Sequence, residues 1–168
     1  MKKAIVLIGH GGVPKDFSPE KTGRLKALEA QRQRLQTPVT PEEKILDHEI
    51  RNWPRTPEND PFCFGTRAIA QKLEPKLQNT KLVIAYNEFC GPSIEEAVGN
   101  LVSEGFEQIT LLSTMFTPGG IHSEFEIPEI IRELKLKYPQ VEISYPWPFD
   151  LESIAEFLYQ STNRFTPS

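Results

Sequence analysis

Two of the three histidines, His10 and His122, stand in glycine-bearing stretches downstream of short apolar runs. A neutral imidazole binds Zn, Co, Fe or Ni and takes up a proton near pH 7. Glu88, which follows a third apolar run, adds a carboxylate that neutralises part of a metal's charge or accepts protons. Two imidazoles and one carboxylate make an incomplete coordination shell. Open positions suit an ion that must be handed on, whereas a closed Cys₄ or Cys₂His₂ set would retain it. His10, Glu88 and His122 are therefore the candidate metal ligands and proton carriers. A lone histidine after a strand is more often a hydrogen-bonded structural residue than a ligand, so this reading depends on the pair sharing one rim. The third histidine, His48, lies between Asp47 and Glu49 and reads as solvated helix surface.

The elements that must bring these groups together are legible as a regular alternation. Ala4 to Ile8, Leu82 to Tyr86, Ile109 to Ser113 and Val141 to Tyr145 read as strands, the first three apolar enough to be covered on both faces. Ile94, Ala97, Val98, Leu101 and Val102 keep helical spacing between Pro92 and Gly105, as do Ile127, Ile130, Ile131 and Leu134 before Pro139. A last helix is expected from an Asp150 N-cap, burying Leu151, Ile154 and Leu158. Strand and helix in alternation predict an α/β fold with a parallel sheet and right-handed crossovers. Ligands bind outside the carboxyl ends of such strands, where strand order reverses. His10, Glu88 and His122 all fall on that rim, with Pro146-Trp147-Pro148 on the fourth strand's end.

Residues 18–61 interrupt the pattern, separating the first strand from its return helix, roughly Phe62 to Gln78, by more than a βα loop needs. This insertion holds six of the fifteen prolines, with short helices expected over Thr22 to Gln36 and Glu42 to Arg51. A lid, a dimer contact and a solvated embellishment are all open readings of it. The chain is expected to form one domain over residues 1–168.

Bulk properties narrow the function. A net charge of -4 argues against a nucleic-acid surface, and no apolar run is long enough to cross a bilayer. Met1-Lys2-Lys3 and the following apolar residues mimic a signal peptide but read as a first strand. Cys63 and Cys90, without CxxC spacing, suit free thiols in the cytoplasm. There is no Gly-x-Ser-x-Gly elbow, phosphate loop or GxGxxG fingerprint, which weakens hydrolase and nucleotide-binding readings.

Three blocks resemble the small sirohydrochlorin cobaltochelatase and ferrochelatase family, the class II tetrapyrrole chelatases. They are Gly9-His10-Gly11 after the first strand, Tyr86-Asn87-Glu88-Phe89 leading to Pro92-Ser93-Ile94-Glu95-Glu96-Ala97, and Pro118-Gly119-Gly120-Ile121-His122 with Glu126-Ile127-Pro128. The resemblance covers residues 1–13 and about 62–160, leaving the insertion outside. It departs where many relatives continue Gly-Ser-Arg, because this chain has Gly11-Gly12-Val13-Pro14.

The resemblance implies a chelatase-type, flavodoxin-like sheet and insertion of a divalent metal, Co²⁺ or Fe²⁺ with Ni²⁺ a third candidate, into sirohydrochlorin or a related tetrapyrrole. His10 and His122 would hold the ion, Glu88 would assist as ligand or proton acceptor, no cofactor would be permanently bound, and the chain would pair as a homodimer. A non-catalytic metal or tetrapyrrole carrier is the alternative. For a planar polyanionic substrate, Gly11, Gly12, Gly119 and Gly120 offer flexible backbone and N–H groups, or else only tight turns. Phe89, Phe116 and Trp147 are candidate walls, with ordinary packing the alternative for each.

Overall fold

The computed structural model describes residues 1–164. Four strands, β1 (Lys3–Gly9), β2 (Thr80–Tyr86), β3 (Gln108–Ser113) and β4 (Glu142–Ser144), form an all-parallel sheet in the order β2-β1-β3-β4. Six helices flank it among the described residues: α1 (Pro19–Leu35), α2 (Pro41–Arg51), α3 (Pro61–Leu73), α4 (Ile94–Ser103), α5 (Ile127–Lys137) and α6 (Leu151–Thr162). The order reverses between β1 and β3, so the loops after these strands open the crevice where ligands of such sheets bind.

The main core lies on one face of the sheet. Val6, Ile8, Leu111 and Ile143 pack against Val98 and Leu101 of α4 and Ile127, Ile131 and Leu134 of α5. On the other face α3 contributes Cys63 against Tyr86. Burial of β1 matches the expected two-sided cover, but β2 is an edge strand whose Leu82, Val83 and Ile84 are only half-buried.

Helix starts follow from their caps. Ser18-Pro19, Thr40-Pro41 and Asp60-Pro61 each place an oxygen acceptor before a proline at the first helical position. The proline needs no hydrogen-bond partner for its nitrogen and its φ is already helical, so each helix starts earlier than its apolar spacing suggests. Ser93 and Glu96 close α4 with a reciprocal capping box.

Residues 18–61 fold as a helical hairpin of α1 and α2, joined by the pairs Lys21–Glu49, Arg24–Glu42 and Arg32–Glu43. Phe17, Leu25, Ile50 and Phe89 form its apolar centre. The expectation for α6 is corrected: Asp150 does cap it, but Leu151 is 61% and Leu158 49% exposed, and no residue of the helix is buried. Among the described residues only Ile154 of its apolar side is even half-buried, so helical periodicity alone did not tell what it packs on.

Candidate metal centre

β1 ends at Gly9, and its pairing with β2 continues past both strands: Asn87 N donates to Gly9 O at 3.0 Å and Glu88 N to His10 O at 2.8 Å. This ladder fixes the backbones of His10 and Glu88 side by side. Gly11 makes the approach possible, because at its φ of 94° an added Cβ would lie 1.8 Å from Glu88 O. His122 arrives from beyond β3 on a π-helical turn, His122–Glu126, that runs directly into α5. Pro128 cannot donate to the carbonyl a turn before it, and Ile127 N instead bonds back five residues to His122 O.

The two imidazoles meet edge to face with Nε2 atoms 3.1 Å apart. His10 Nδ1 lies 2.7 Å from Gly11 O, which can only accept, so Nδ1 carries the proton. His122 Nδ1 lies 2.7 Å from Glu126 Oε2. Burial would raise the Glu126 carboxyl, but hydrogen bonds from His122 and Asn87 outweigh it and hold the group below the usual glutamate range. An ionised Glu126 makes His122 Nδ1 the donor, and Asn87 Nδ2 donates to the same oxygen at 2.9 Å. Both Nε2 atoms are then lone-pair donors facing one space, an arrangement that repels unless a proton or cation lies between them. Two nitrogens on one tetrahedral ion at about 2.0–2.1 Å stand roughly 3.3 Å apart, close to the separation seen.

Glu88 completes the cluster, with Oε2 3.9 Å from His10 Nε2 and Oε1 4.0 Å from His122 Nδ1. One ligand atom each from His10, Glu88 and His122 falls within 4.8 Å of the others. The structure thus brings together all three predicted ligands. Asp60, Cys63 and Cys90 also converge but are spoken for. Asp60 accepts from Cys63 N and Arg55, and burial pushes the Cys90 thiol up to about 12, partly opposed by Arg55.

The expected substrate-binding residues divide. Gly119, with φ of 86°, borders a groove of about 870 Å³ with Ile121, Phe125, Glu126 and, from the end of α1 and its C-cap, Gln33 and Gln36. Its N–H is already given to Glu124 Oε1 at 2.6 Å, so it is not free for an anion. Gly120 turns beside Thr117 O, and Gly12 offers its carbonyl to Arg55. Phe116 faces α6 across a separate groove, and Trp147 stacks on Tyr145. Phe89 is corrected as a wall: its backbone has φ of 54° and its ring is buried with Phe17, Leu25 and Ile50. Phe62, which the sequence did not single out, is the exposed ring beside His10, edge-on with centroids 6.5 Å apart.

Three further groups escaped the sequence reading. Asn87, beside Glu88 in the chain, donates to Glu126, a contact between distant segments that no local spacing signals. Glu29 of α1 feels the Glu88 charge, and burial first, then that charge, pushes its carboxyl up to about 7. Arg55 is folded under the Glu88 loop.

The CbiX family profile matches residues 64–164, more than half of the chain. This chain belongs to the CbiX family. It is similar to the sirohydrochlorin ferrochelatase of Priestia megaterium, 28% identical over 111 residues that cover 60% of this chain and 41% of that protein. It is also similar to the sirohydrochlorin cobaltochelatase of the same organism, 32% identical over 68 residues covering 40% and 22%. The CbiX chain thus spans less than half the length of the curated relatives it matches. SirB from Bacillus subtilis, solved with Fe³⁺, shares the fold with a TM-score of 0.57 at 20% identity, over 99% of this chain and 49% of SirB.

Proposed function

We propose that this CbiX chain is a chelatase that inserts Co²⁺ or Fe²⁺ into sirohydrochlorin or a related tetrapyrrole. The observation that carries the reading is the pair of Nε2 lone pairs 3.1 Å apart, with both Nδ1 positions already committed and a carboxylate beside them. Two neutral nitrogens and one anionic oxygen suit a borderline divalent ion, and they leave positions open for a second set of ligands. The curated relatives named for both metals support either ion as substrate.

A tetrapyrrole must lose two protons as its nitrogens replace the protein ligands. Glu88, half-exposed beside both imidazoles, is placed to receive them, and the His122–Glu126 pair offers a second acceptor. The groove of about 870 Å³ that reaches Glu126 is of the size that holds a large ligand, with exposed Ile121 and Phe125 for its flat face. The buried free thiols fit a cytoplasmic setting. A homodimer is the assembly we favour, because α6 leaves apolar side chains uncovered and the SirB chain is twice as long.

Purified protein incubated with sirohydrochlorin and Co²⁺ or Fe²⁺ is expected to form many equivalents of metallated product, followed in the visible spectrum against a no-enzyme control. A single equivalent would make it a carrier. His10→Ala and His122→Ala are each expected to lower the rate at least about a hundredfold with unchanged circular dichroism. Wild-type rates in both variants would remove the site.

A further inference from the structure

The 18–61 segment reaches the metal centre from below through two arginines. Arg51, at the end of α2, spends Nε on Asp47 at 2.8 and 2.9 Å. Its Nη1 donates to Cys90 O at 3.0 Å and Tyr86 O at 3.4 Å, and its Nη2 to Asn87 O at 3.1 Å. Arg55, with a side chain only 6% exposed, donates through Nη1 to Gly12 O at 2.8 Å and Asp60 Oδ2 at 2.6 Å. Its Nη2 reaches Phe89 O and Ile50 O. The one carbonyl of the Tyr86–Cys90 turn outside this set, that of Glu88, accepts from Cys90 N at 2.6 Å and lies against Gly11.

Five carbonyls from the loops that carry His10 and Glu88 therefore end on two guanidiniums. Such a turn, with its carbonyl dipoles gathered inward and Phe89 at positive φ, is unfavourable in isolation and needs buried donors in a fixed fork to hold it. Lysine, a point charge on a flexible stem, does not supply that fork. We propose that Arg51 and Arg55 are positioning residues for the metal centre: the α1–α2 hairpin clamps the His10 and Glu88 loops from behind so that the Glu88 carboxylate faces both imidazoles. The proposal rests on His10, Glu88 and His122 being the metal ligands.

Arg55→Ala would strand buried Asp60 and compromise folding, so Arg51 is the residue to vary. Arg51→Gln and Arg51→Lys are titrated with Co²⁺, following the visible bands of the bound ion, and hydrogen exchange is measured at amides 87–91. The expected result for Arg51→Gln is an affinity for Co²⁺ about tenfold or more weaker, an altered spectrum, and faster exchange in the 87–91 turn but not in β3. Arg51→Lys is expected to recover only part of the affinity. Wild-type affinity and spectrum in Arg51→Gln, or unchanged exchange, would overturn the clamp while wild-type binding, lost in His10→Ala, keeps the ligand assignment standing. No Co²⁺ binding by the wild type would overturn both.

Discussion

Which ring nitrogen carries a proton decides what His10 and His122 can do. Gly11 O and Glu126 each take an Nδ1–H, leaving Nε2 of both rings for a cation. Glu126→Gln should therefore keep the fold while weakening Co²⁺ binding by about ten- to a hundredfold, checked by competition titration against a chromophoric chelator. Gly11→Ala should cost about 2–3 kcal/mol in denaturant unfolding, because the backbone must leave its φ or push the Glu88 carbonyl aside. The convergence of His10, Glu88 and His122 was legible because strand ends of a parallel sheet share a rim and histidine and glutamate are conspicuous there. For Phe89 residue type left wall and ordinary packing both open, and its positive φ turns the ring into the hairpin centre. Nothing in Phe62's own surroundings flagged it, since only the docking of α3 brings it to His10.

At the level of elements, the strands and the α4 and α5 helices were readable from apolar spacing, whereas α1, α2 and α3, expected from Thr22, Glu42 and Phe62, start at Pro19, Pro41 and Pro61, where an oxygen-bearing residue before proline caps each. The π-helical turn was not, because its extra residue follows from how Pro128 and the core fix α5 rather than from periodicity. The α1–α2 hairpin also brings a cost. Glu29 is pushed up to about 7 from 4.5, by burial first and the neighbouring Glu88 charge second. Below pH 4.5 the group is neutral whether folded or unfolded and exerts no penalty. Between pH 4.5 and about 7 only the unfolded chain gives up the proton, so stability falls as pH rises, and above that range the loss is complete. Glu29→Gln should raise the thermal midpoint at pH 8 and leave it near the wild-type value at pH 4.

For the molecule as a whole, the α/β class, the parallel sheet and the position of its crevice followed from the order of the elements. The surroundings of α6 did not, since an amphipathic pattern says that a face is to be covered without saying by what. Leu151, Phe157 and Tyr159 are each more than 60% exposed. If a second copy covers them, Phe157→Glu should convert a dimer to a monomer in sedimentation equilibrium; an unchanged mass for both proteins would discard that assembly. The far edge of the sheet bears on the same question. β4 is three residues long, and beyond Tyr145 come Pro146 and Pro148, which have no amide hydrogen to offer. That border offers a neighbouring molecule little backbone to pair with, so a partner there is expected to approach through side chains rather than by adding a strand.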